Sequence, residues 1–176
     1  EIRDNNGAVL ASVDPNGNAN IAGNVKSASV TSGQIVGTDV GQRVYVHDAG
    51  ISVGDVVSID STLANGAQRS TSSYDGRLLG VISGAPSMVV GGSSTTGEER
   101  VVAISGTVAV KVNDENGVIQ PGDPITSSST PGVGMKATGA GAVIGYAVAS
   151  FNGTSGTVLA RVGAGYQSGN VVSQIT

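Results

Sequence analysis

The residues of this chain that have the means for acid–base or metal chemistry are few and scattered. Its one histidine, His47, precedes Asp48, an order in which a carboxylate orients an imidazole as a base or helps it hold a metal. Both roles need further convergent groups. There is no cysteine, which excludes disulfides, thiolate catalysis and cysteine metal sites. The plain reading of His47 is a loop or edge histidine. Asp55, Asp60 and Asp123 would suit paired-carboxylate chemistry. Gly54-Asp55 and Gly122-Asp123 are better read as turns ahead of strands, each carboxylate bonding its neighbouring amides. Asp14-Pro15-Asn16-Gly17-Asn18-Ala19-Asn20 sets oxygen-bearing side chains at alternate positions, as calcium loops do. With one carboxylate and no closing Glu, it reads as a hairpin turn. Asn152-Gly153-Thr154 fits the acceptor pattern for N-glycosylation. Nothing resembles a nucleophile elbow or a phosphate loop. No catalytic residue, cofactor or metal is expected.

The elements around these residues read as one β motif written twice. Ile51-Ser52-Val53-Gly54-Asp55-Val56-Val57-Ser58 corresponds to Ile119-Gln120-Pro121-Gly122-Asp123-Pro124-Ile125-Thr126. Each copy continues through a polar loop to a basic residue, Arg69 or Lys136. A glycine-bearing strand follows, Leu78-Leu79-Gly80-Val81-Ile82 or Val143-Ile144-Gly145-Tyr146-Ala147-Val148. Each closes on an apolar run, Val101–Ile104 or Val158–Val162. Half-repeats over about 50–112 and 118–166 are each too small to bury a core alone, so two halves sharing one core are expected.

Composition agrees. Aromatic residues are 3%, charged residues 12%, hydrophobic residues 39%, and there are 28 glycines. Such a core is built from Val, Ile, Leu and Ala, with glycine in turns and bulges. The net charge of −4 and scattered single cations argue against a nucleic-acid partner. No apolar run approaches the ~20 residues that span a bilayer as a helix, so no membrane insertion is expected. The chain opens at Glu1 with neither an initiator Met nor a signal peptide, and a processed product or a fragment is the expectation.

Strands are expected around 43–46, 55–60, 78–83, 101–112, 125–126, 143–151 and 157–162, separated by Asn-Gly, Asp-Gly and Pro-Gly turns. No segment has a sustained helical period with caps. The expected fold is all-β: a duplicated small β-barrel or sandwich body over 33–166, with an extended N-terminal strand arm over 1–32 and a short C-terminal tail over 167–176. The arm carries strands over 8–13, 18–22 and 24–30 with too little side-chain bulk for its own core. Val9, Leu10, Val13, Ile21 and Val25 are its expected assembly contacts.

The stretches Gly54–Asp60, Arg77–Ser83, Asn116–Ser128, Gly132–Thr138 and Val143–Ala147 resemble a bacterial and phage-type family. Its members are the β-rich distal domains of secreted surface-fibre and tail-fibre-like proteins. The resemblance covers about residues 50–166 and implies an extracellular or cell-surface structural role, with no catalytic residues carried over. The expected function is a subunit of an extracellular homopolymeric filament that assembles with itself by β-strand addition. The alternative is a fibre tip or decoration protein that binds a receptor or a surface glycan. The near absence of large aromatic platforms weighs against glycan binding.

Overall fold

The computed structural model describes residues 1–16, 19–22, 38–91 and 97–168. Among these the protein is all-β, with no helix. The chain divides into two compact units, Glu1–Ile35 and Val36–Thr176.

In the first unit, β1 (Ile2–Arg3), β2 (Val9–Val13) and β3 (Ala19–Ile21) form an antiparallel sheet with β2 in the middle. The strands expected over 8–13 and 18–22 are present as β2 and β3, and a turn adds β1. The Asp4 carboxylate accepts the amides of Asn6 and Ala8 at 2.9 and 2.8 Å, and this turn folds Ile2–Arg3 back onto β2. Asp14 accepts the Asn16 amide at 2.9 Å at the head of the β2–β3 connection, a turn role rather than a calcium loop. The strand expected over 24–30, with Val25, lies outside the described residues.

The second unit contains β4 (Asp39–Val46), β5 (Val56–Asp60), β6 (Gly66–Arg69), β7 (Leu78–Ile82), β8 (Met88–Val90), β9 (Glu98–Asn113), β10 (Pro124–Ser127), β11 (Gly134–Lys136), β12 (Gly141–Ala147) and β13 (Ser155–Gln167). The long strand β9 organises them. Its first half pairs with β4 and β7, its second half with β13 and β11. Pairings lead from β9 through β7, β5, β6 and β4 back to β9. They also lead from β9 through β13, β12, β10 and β11 back to β9.

The registers of these two circuits match. β5 meets β7 at Val56↔Val81 and Val57↔Gly80, while β10 meets β12 at Pro124↔Tyr146 and Ile125↔Gly145. Val57↔Arg69 in one is Ile125↔Lys136 in the other. Each circuit also has one parallel contact, Tyr45↔Gly66 and Gly134↔Val112, one residue out of step with the other. In both, the Gly-Asp turn exchanges two backbone hydrogen bonds with the glycine-bearing strand. Gly54 N donates to Ile82 O and Ile82 N to Asp55 O, both at 2.9 Å; Gly122 and Asp123 exchange the same bonds with Ala147 at 2.8 Å.

Alternation along β5, β7 and β9 divides the core in two. Val57, Ile82 and Val102 pack with Val44, Val46, Ile51 and Ala67. Their neighbours Val56, Val81 and Ala103 pack with Ile119, Ile125, Ile144, Val158 and Ala160. At these positions both faces are buried, which is why Val56-Val57, Val81-Ile82 and Val102-Ala103 read as continuous apolar runs.

Gly145 marks the tightest approach between strands: a Cβ there would lie 2.1 Å from the Arg161 carbonyl oxygen. Gly145→Ala is expected to cost at least ~1–3 kcal/mol, whereas Gly76→Ala, with open space around it, should stay within about 0.5 kcal/mol of the parent. Denaturant unfolding of the two variants checks this.

Candidate functional site

His47 is exposed at the end of β4. Asp48 is already committed elsewhere. Its carboxylate accepts the Gly50 amide at 2.8 Å and the Arg69 guanidinium at 2.7 and 2.6 Å. The Gly50 amide is the larger cause holding the Asp48 carboxyl below its usual range, and Arg69 adds to it. His47 and Asp48 therefore do not form a base with its orienting group. Among the described residues, no three His, Cys, Asp or Glu side chains converge on a point that would hold a metal ion.

The two Gly-Asp turns have the amide-binding geometry read from their sequence. Asp55 accepts the Ser52 amide at 2.8 Å, and Asp123 accepts the Gln120 amide at 2.7 Å. Their cations differ. Asp123 pairs with Lys136 at 2.8 Å across its own hairpin, but Asp55 takes Lys111 of β9 at 2.6 Å, and Arg69 turns instead to Asp48. The Lys111 amide also donates to Gly54 O at 2.9 Å, so this ion pair ties the first circuit to the second. Burial works to raise the Asp123 carboxyl, and the Lys136 ammonium and Gln120 amide outweigh it, leaving a lowered pKa. Asp60 is held low by the Thr62 hydroxyl and amide, with His47 contributing a smaller charge effect.

Sequence reasoning passed over Tyr74. This residue has φ +54, uncommon for an aromatic side chain. Its hydroxyl oxygen accepts the amides of Thr138 and Gly139 at 2.9 and 3.1 Å and the Asn116 side-chain amide at 3.3 Å. Next to it, Asp75 accepts the Ser58 hydroxyl at 2.8 Å, and the Asp75 amide donates to Ser127 Oγ at 2.9 Å. These bonds form a polar seam between residues 58–75 and 116–139, buried at Asp75 and part-exposed at Tyr74. The only local signal was the turn sequence Tyr74-Asp75-Gly76, which does not say what the turn touches. The seam is structural, since every group in it is satisfied by another.

What remains for interaction is surface. Val9, Leu10 and Val13 are exposed on the middle strand of the N-terminal sheet, and Ile21 lies on β3. Asn152 is exposed in the connection between β12 and β13, as an acceptor for glycosylation must be. In the second unit, β8 pairs only with β4, and its three residues Met88, Val89 and Val90 are all exposed. Beyond Val162, β13 pairs only with β12. Two strand edges therefore lack a strand partner among the described residues. A groove of about 590 Å3 lies on the β12–β13 face. Comparison of the chain with models of known protein families gives no match, and comparison with curated proteins gives none either.

The lowered carboxyls of Asp48, Asp60, Glu115 and Asp123 predict an acid limb in stability. A carboxyl whose folded pKa lies below its unfolded value of about 4 stabilises the fold above that value and stops doing so as pH falls through the folded one. Melting temperature should hold from neutral pH to about pH 5 and fall below about pH 4. Asp123→Asn should lower it at neutral pH and flatten the acid limb. An unchanged limb in that variant would contradict the assignment.

Proposed function

We propose that this protein is a structural subunit of an extracellular homopolymeric filament, assembled by β-strand pairing between copies, and that its body is a duplicated β-barrel. The matched registers of the two circuits and their return to β9 support the duplicated body. The observation that carries the assembly reading is the set of strand edges without a strand partner among the described residues, beside exposed apolar side chains. The body has β8 and the end of β13; the N-terminal sheet has the outer edges of β1 and β3. Exposed backbone donors and acceptors flanked by apolar side chains are a template for another strand.

The three N-terminal strands have 2, 5 and 3 residues, too little to be stable as an isolated sheet. Ile2 and Val13 point exposed apolar surface outward from it. Since β2 already has a partner on both edges, the N-terminal unit joins a neighbour as a small sheet through an outer strand, rather than by inserting β2. A contact between unlike surfaces does not close on itself, and repeats into a filament.

Negative-stain microscopy of the full chain is expected to show filaments, and Val13→Asp should abolish them by placing a charge in the contact, at a cost of order several kcal/mol. Compact trimers would favour a fibre tip, and monomers at high concentration would exclude assembly. Hydrolytic assays should find no turnover that His47→Ala or Asp48→Ala removes; such a turnover would point to an enzyme.

A further inference from the structure

Arg161 stands apart electrostatically. Every other Lys or Arg among the described residues has a carboxylate partner, while no ion pair or hydrogen bond involves the Arg161 side chain. It sits in the middle of an outward face. Tyr146 of β12 is directly opposite it on one side, and Thr107 of β9 on the other. Tyr146 is 47% exposed, Val148 48% and Leu159 49%. Tyr146 and Val148 line the β12–β13 groove with Arg161, over backbone contributed by Gly145 and Gly163.

The lining chemistry selects the occupant. The groove has apolar side chains, the Tyr146 ring and hydroxyl, glycine backbone and one guanidinium, and among its lining residues no carboxylate or side-chain amide of the kind that reads sugar hydroxyls. It fits a carboxylate carried on an apolar polypeptide surface. Along its margin, Gly163–Gln167 offers an edge of β13 without a strand partner among the described residues, and a Cβ at Gly163 would meet nothing within 4 Å, so another backbone has room to approach.

The chain itself supplies such a surface. In the N-terminal sheet Ile2 is 64% and Val13 69% exposed, beside Glu1, Asp4 and Asp14, with Arg3 as the single cation among its described residues. We infer that the β12–β13 face around Arg161 is the docking site for the N-terminal unit of a second copy of this chain. This rests on the assembly reading above and assigns its receiving edge. The rival edge, β8, is equally apolar but has no unpaired cation to meet an acidic partner.

The test uses the full-length chain with a photo-crosslinking residue, Tyr146→p-benzoylphenylalanine or Val89→p-benzoylphenylalanine, in equal mixtures of isotope-labelled and unlabelled copies. Mass spectrometry after illumination should find mixed-isotope crosslinks from position 146 to residues 1–22, and none from position 89. Crosslinks to residues 1–22 from position 89 alone would overturn the site and leave the assembly reading standing. Crosslinks from position 146 to residues 38–168 would overturn the occupant. Monomers without crosslinks at either position would sink the assembly reading itself. In parallel, Arg161→Glu should raise the concentration needed for assembly by about tenfold or more, less so in high salt, with an unchanged melting temperature because the side chain is exposed. Arg161→Lys should assemble nearly as the parent does. Assembly of Arg161→Glu at the parent concentration would overturn the proposal.

Discussion

The structure of the second unit depends on one strand whose two halves belong to different circuits of pairing. A sixteen-residue β9 would present long rows of amides and carbonyls, each costly to bury unpaired. The neighbours that meet this demand are β4 and β7 along one half, β13 and β11 along the other. The crossing from one set to the next falls at Gly106, which pairs with both Asp39 and Val162. A Cβ at Gly106 would lie 2.3 Å from the Thr38 carbonyl oxygen, so the change of partners requires a residue without a side chain.

Packing follows from this backbone arrangement. Because successive residues point to opposite faces, β5, β7 and β9 each supply one apolar residue to one core cluster and its neighbour to the other. The clusters are small-residue cores of Val, Ile and Ala, which suits strands that must approach closely. Polar contacts then tie the circuits: Lys111 to Asp55 from outside, and the Tyr74 and Asp75 seam within. These cross-links are where the two circuits differ, since Arg69 and Lys136 hold equivalent strand positions but different carboxylates.

Much of this was legible in the sequence, and what was not has physical causes. The strands over 55–60, 78–83 and 101–112 declared themselves through β-branched runs. The Gly-Asp turns declared themselves through repetition. Strands β6 (Gly-Ala-Gln-Arg) and β11 (Gly-Met-Lys) carry no such pattern, because their place is set by the strands they pair with. Strand β1 was missed for the same reason: two residues become a strand only because the Asp4 turn returns them to β2. Val9, Leu10 and Val13 were legible as apolar strand positions, and the structure leaves them exposed. Arg161 was not, since its distinction is the lack of a carboxylate that every other described cation has, and ion pairing is invisible before folding.

Edges and charge together underlie the proposed assembly. Among the described residues, pairing that runs back on itself removes most edges from the body and leaves β8 and the end of β13, while the three described N-terminal strands are short and carry exposed apolar residues. In the proposed assembly the contact joins unlike surfaces, which gives open-ended growth. Sedimentation velocity of the purified chain across a wide concentration range tests this central claim most directly. Open assembly predicts a size distribution that broadens and shifts upward without limit as concentration rises. A single species whose mass stays at one, two or three chains over the whole range would contradict it.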